Sequence, residues 1–158
     1  MGWWPEAEWS RMIAGTDCPM CEDAHLPTNP GSDLIAELEW SYARLGANQT
    51  KPGYCLVILK EHRAELDDLS AAELAGFWTD VARVAGAIRS VVHPVKLDYL
   101  VMGHRVPHLH CHLYPHFEDD DPFANPDISA GSLRLEPAET RERLKQLRVA
   151  LQQAKPST

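Results

Sequence analysis

No apolar run in this chain approaches the roughly 18 residues that a membrane-spanning helix needs. Internal repeats and low-complexity tracts are also missing, which excludes solenoid and fibrous designs. Positive charge is scarce. Fifteen Lys and Arg face 23 Asp and Glu, for a net charge of −8, and this argues against nonspecific binding to nucleic acid. A small anionic substrate stays compatible with one local basic site. The N-terminal residues Met1-Gly2-Trp3-Trp4-Pro5-Glu6 lack a basic region followed by an apolar stretch, so they do not read as a signal peptide, and the expected location is the cytoplasm. Cysteine is limited to Cys18, Cys21, Cys55 and Cys111, and in a cytosolic chain these are not expected to form a disulfide framework. The remaining composition, 44% hydrophobic and 24% charged over 158 residues, is that of one globular domain spanning 1–158.

Histidine, by contrast, is concentrated. Five of the eight histidines (His104, His108, His110, His112 and His116) fall between 104 and 116. Within Pro107-His108-Leu109-His110-Cys111-His112-Leu113-Tyr114-Pro115, three of them alternate with apolar residues. Alternate side chains of a strand share a face, so His108, His110 and His112 form a row with Leu109, Cys111 and Leu113 behind it. A row of imidazoles on a rigid strand suits proton transfer, metal ligation or nucleophilic attack.

The flanking patterns predict an α+β chain. Residues 3–14 read as a short helix with Trp3, Trp4, Trp9, Met12 and Ile13 as its apolar contacts. Tryptophans this close to a terminus are expected to pack on the domain or on a partner subunit. Residues 33–46 read as one or two strands, and Tyr54–Leu59 is an apolar run expected of a central strand. Ser70 followed by Glu73 is a capping box, after which Leu74, Phe77, Trp78, Val81, Val84, Ala85 and Ile88 recur at helical spacing up to Pro94. A strand over Val95–Val101, the histidine strand and a helix from about 137 to 153 complete the order, with Lys155–Thr158 a frayed tail. Strands that come in groups, rather than alternating with helices, indicate an antiparallel sheet.

Two sites can be built. Cys18 and Cys21 form a CxxC pair in a polar, turn-rich segment with no preceding strand, which disfavours a thioredoxin-like redox role. As half of a tetrahedral zinc site the pair needs two distant ligands, for which His62 and His108 are candidates and His25 a competitor. Cys55 and Cys111 lie in apolar strand patterns and are expected in the core. If zinc takes His108, then His110 and His112 remain on the exposed strand face. A neutral imidazole can attack phosphorus while its neighbour donates to the phosphoryl oxygens or to the leaving group. A three-histidine metal enzyme is the competing arrangement, but it leaves the CxxC without a role.

His108-Leu109-His110-Cys111-His112-Leu113-Tyr114 resembles the signature of the histidine-triad (HIT) superfamily, and Pro52–His62, ending in Lys60-Glu61-His62, resembles that family's other hallmark strand. The order over residues 15–125 follows the family, and the wording around Val106-Pro107-His108 and Pro115 resembles its bacterial diadenosine polyphosphate hydrolase-like branch. The resemblance implies an antiparallel sheet with a long capping helix and terminal helices, a homodimer, and a nucleotide as substrate. It implies hydrolysis or nucleotidyl transfer at the α-phosphate, with His110 as nucleophile and His112 against the phosphate and leaving group. It further implies a structural zinc on Cys18, Cys21, His62 and His108, which favours His62 over His25. Asn48 falls where the family meets the ribose, and His104 and Arg105 fall where it touches the phosphates. Asp119–Asp121 are expected to be a solvated loop. Tyr54 departs from the pattern, because many members carry histidine there.

Overall fold

The computed structural model describes residues 2–154; the expected tail Lys155–Thr158 lies outside them. Six antiparallel strands form one sheet in the order β1-β2-β3-β4-β6-β5: β1 Thr28–Asn29, β2 Ser32–Glu37, β3 Ser41–Gly46, β4 Cys55–Leu59, β5 Lys96–Val101 and β6 His110–His116. The helices are α1 Glu6–Ile13, α2 Pro19–Asp23, α3 Ala71–Val92 and α4 Pro137–Gln153. No described helix is long and apolar enough to cross a membrane.

The α+β expectation holds, with three refinements. Residues 33–46 are two strands, turned at Glu39-Trp40. The Trp40 amide donates to Asp80 of α3 at 2.9 Å, and the Trp40 ring lies on Gly76, where a Cβ would come within 2.3 Å of it. The N-terminal helix begins only at Glu6. Pro5 is extended (φ −54°, ψ 134°) and proline disfavours helical geometry in the residue before it, so Trp3 and Trp4 precede the helix instead of lining it. Along α3, Phe77, Val81, Val84, Ala85 and Ile88 are buried, whereas Leu74 and Trp78 stand at the margin of the stripe, more than a third exposed.

The capping box is present as read. Ser70 Oγ accepts from the Glu73 amide at 3.2 Å, and the Glu73 carboxylate accepts from the Ser70 amide at 2.8 Å. The helix ends at His93, whose φ of 51° is left-handed, just ahead of Pro94. With α4, it covers one face of the sheet. Cys55, Val57, Leu59, Cys111 and Leu113 meet Phe77, Val84, Ile88, Leu147 and Leu151 in a single core. Both cysteines expected in the core are fully buried. The opposite face carries the histidines.

Candidate functional site

Pairing of β4 with β6 places His110 opposite Ile58, and His112 opposite Leu56. The alternation read from the sequence is therefore real: Cys111 and Leu113 face the core, His110 and His112 the other side. His108 comes before the first residue of β6. Its ring turns toward the N-terminal segment rather than standing in the row.

There it meets Cys18, Cys21 and His62. The ligand atoms of these four side chains lie within 4.8 Å of one another. His108 Nδ1 is 3.4 Å from both sulfurs, His62 Nδ1 is 3.3 Å from the Cys21 sulfur, and the two Nδ1 atoms are 3.2 Å apart. Bonds of about 2.0 to 2.1 Å to nitrogen and 2.3 Å to sulfur in a tetrahedron put neighbouring ligand atoms roughly 3.3 to 3.8 Å apart, close to the observed set.

Both rings are oriented from behind. His108 Nε2 donates to the Leu59 carbonyl at 2.7 Å, and His62 Nε2 donates to the Ile13 carbonyl at 2.8 Å. Each ring then presents a bare Nδ1 lone pair, the form that ligates a metal. The Ile13 carbonyl is free because α1 closes in a Schellman turn, with Gly15 (φ 79°) donating to Met12 and Thr16 to Arg11. A short helix positions the cysteines: Cys18 is the N-cap of α2, Pro19 its first residue, and Cys21 lies three residues on, the same-face spacing. Burial, then the adjacent Cys18 thiol, raises the Cys21 thiol to about 12, and burial lowers His108 to about 4. Thiolates in this cluster therefore need a cation, while the imidazole is already neutral. His25 is exposed and outside the cluster.

The remaining two histidines lie 4.8 Å apart, ring centre to ring centre. His110 Nδ1 donates to the His108 carbonyl at 2.5 Å, which leaves its Nε2 with a lone pair. Burial lowers His110, and it lowers His112 to about 3 with a smaller contribution from His110, so both are neutral at pH 7. His112 Nδ1 is 2.6 Å from the Tyr54 hydroxyl.

Expectation and structure differ on exposure. His110 and His112 are only 5% and 6% exposed, although their strand face was expected to be open. The segment after β6 crosses that face. Pro126–Ser129, together with Met20, Met102 and Val106, enclose a cleft of about 370 Å³ over the two histidines. One end of the segment is held by Asp120, which pairs with Lys51 and accepts from the Phe117 amide at 2.9 Å. Asp120 is thus a tether, whereas a solvated loop was expected there. The other end is held where the Gln49 amide donates to Leu133 and the Leu133 amide to Thr50.

His104 and Arg105 line this cleft. Asn48 does not. Its amide donates to the carbonyls of Ala130 and Gly131 at 3.1 and 3.2 Å and so holds the crossing segment. Residues that sequence reasoning missed include Gly15, the crossing residues Pro126–Ser129, and Arg44. The Arg44 guanidinium is fully buried and donates to Ser32 and to the carbonyls of Ala24 and Leu26, which fixes the chain just after α2.

An antiparallel sheet that presents alternating histidines is the arrangement expected of a histidine-triad fold. The model of the HIT domain matches residues 28–119, and the chain belongs to that family. It is 28% identical over 91 residues to an uncharacterized HIT-like protein of Methanocaldococcus jannaschii, covering 55% of this chain and 70% of that one. Among solved structures, it is similar to a histidine triad protein from Bradyrhizobium japonicum (TM-score 0.70, 22% identity, 77% of this chain and 91% of that one). A Zn-bound histidine triad family protein from Mycobacterium smegmatis is similar over 87% of this chain and 94% of its own (TM-score 0.61, 24% identity).

Proposed function

We propose that the protein is a nucleotide hydrolase that acts at the α-phosphate of a nucleoside polyphosphate or phosphoramidate, of the diadenosine polyphosphate type, through a nucleotidyl-His110 intermediate. The observation that carries this reading is the His110 hydrogen bond to its neighbour's carbonyl. That bond leaves a neutral ring with a bare Nε2 inside a cleft whose rim carries Arg105 and His104. In the first step His110 Nε2 bonds to phosphorus and the bond to the leaving group breaks. In the second, water takes the nucleotidyl group and the P–N bond breaks, with the water's proton passing to solvent or to the departed group. His112, beside the nucleophile, contacts the phosphoryl and leaving-group oxygens. Arg105 and His104 bind the remaining phosphates. The Asn48 contact with ribose would require the crossing segment to release its amide.

Zinc on Cys18, Cys21, His62 and His108 is a structural element of the same proposal. The interatomic distances and the fixed imidazole orientations support it, and one similar structure is Zn-bound. Bound there, the ion would tie the N-terminal segment to the sheet. A homodimer is part of the reading as well. The sheet ends at β5, where Tyr99 and Val101 are exposed at 45% and 37%.

Purified protein incubated with diadenosine tetraphosphate, with and without inorganic phosphate and beside His110→Ala, tests the activity. Turnover independent of phosphate and lost in His110→Ala is expected. Products that require added phosphate would make the protein a phosphorylase. Unchanged turnover in His110→Ala would remove the nucleophile assignment, and no turnover in the parent would leave a nucleotide-binding module.

A further inference from the structure

We propose that Tyr54 makes this cleft selective for a leaving group that departs as an anion, a polyphosphate, over one that must be protonated, an amine. The proposal rests on the reading of His110 as a nucleophile toward phosphorus, and it narrows the substrate class within that reading.

Tyr54 follows the Gly53 turn at the head of β4 and is 9% exposed. Its ring lies within 7° of parallel to that of His112, with its hydroxyl 2.6 Å from Nδ1. Among the described residues, that nitrogen is the one hydrogen-bond partner of the hydroxyl. A buried hydroxyl that only accepted would leave its own hydrogen unpaired. The phenol therefore donates, Nδ1 accepts, and the proton of the neutral His112 sits on Nε2.

An imidazole held in this way is a hydrogen-bond donor with no spare proton. When the leaving group is a polyphosphate, none is needed. The lone pair of His110 forms the N–P bond, the P–O bond breaks, and its electron pair stays on the departing oxygen. A terminal phosphate has its second ionisation at about 6, so this oxygen is stable as an anion at neutral pH. His112 Nε2–H only stabilises the charge as it develops.

An amine is different. Its nitrogen must receive a proton as the P–N bond breaks, because without one it would leave as an amide anion, the conjugate base of a neutral amine and far too basic to form in water. If His112 gave up its Nε2 proton, the Tyr54 proton would have to follow to Nδ1. The product would be a buried phenolate, at a position where desolvation already raises the phenol above its usual range. Of the other histidines lining the cleft, His110 is committed to phosphorus and His104 stands exposed on the rim. A second imidazole at 54, which can take up a proton and pass it on, would lift this restriction.

The test compares diadenosine tetraphosphate with adenosine 5′-phosphoramidate, which share the nucleotidyl half and differ in the group that leaves. The parent is expected to favour the anhydride in kcat/KM by about 100-fold, the scale of a missing general acid. Tyr54→His should narrow that preference by about tenfold, acting on kcat for the amidate. Tyr54→Phe, which keeps the packing but not the donor, should lower kcat on the anhydride and leave the amidate slow. Nitrogen-15 NMR of His112 reads the positioning directly, with Nε2 protonated and Nδ1 bare in the parent and a mixture of both tautomers in Tyr54→Phe. Equal turnover of the two substrates, or a protonated Nδ1 in the parent, overturns the proposal and leaves the hydrolase reading standing. Turnover of neither substrate overturns the hydrolase reading and takes the proposal with it.

Discussion

His62 and His108 present their Nδ1 atoms to each other at 3.2 Å, with the opposite nitrogen of each ring bonded to a backbone carbonyl. Two bare lone pairs at that distance repel unless a cation lies between them. About one zinc per chain is therefore expected, lost in Cys18→Ala and kept in His110→Ala, as measured by elemental analysis of the purified proteins. The reverse pattern would move the metal onto the histidine row.

Gly15 should matter more than its place at the end of a short helix suggests. Its φ of 79° is left-handed, and a Cβ there would stand 3.0 Å from His62 Cγ. Gly15→Ala is expected to cost about 1 to 2 kcal/mol through backbone strain. It should also displace His62 from the metal. A lowered thermal midpoint, together with faster extraction of zinc by a chelator, checks both effects.

Arg44 ties α2 to the sheet through bonds to Ala24, Leu26 and Ser32. Arg44→Met keeps most of the buried volume and removes the donor that the Ala24, Leu26 and Ser32 carbonyls share. A loss of about 3 kcal/mol or more is expected in urea unfolding, with weaker zinc retention because the displaced segment follows Cys21 directly.

Acid should weaken the fold through His112. Burial holds this imidazole at about 3 in the folded chain, while the unfolded chain takes up its proton at the ordinary value near 6.5. Across that window the unfolded state binds the extra proton, so stability falls as pH falls and is regained toward neutrality. Urea midpoints at pH 7 and pH 5 should differ more for the parent than for His112→Asn.

The parts of the site that obey a local period were legible in the sequence. Alternation alone put Cys111 and Leu113 in the core and His110 and His112 on the far face, and the Ser70–Glu73 pair marked the start of α3. The cluster of Cys18 and Cys21 with His62 and His108 spans ninety residues. No local pattern brings those segments together, and only the resemblance to a family chose His62 over His25. The cover over His110 was not legible at all. Pro126–Ser129 are placed by what Asn48, Gln49 and Thr50 bond to at a distance, and a polar segment gives no periodic sign of where it will lie. The start of α1 was misread because two tryptophans ahead of Pro5 imitate an apolar helix face.

The β6 strand alternates between a sealed core and a histidine-lined cleft, residue by residue, and this limits how the chain can vary. Deleting one residue between His108 and His112 would turn an imidazole into the core and a leucine or cysteine into the cleft. Length changes in this strand therefore offer no route to a folded but silent relative. Substitutions do, one side chain at a time, and position 54 lies just ahead of the neighbouring strand β4, where a side chain that meets His112 can change without disturbing the register.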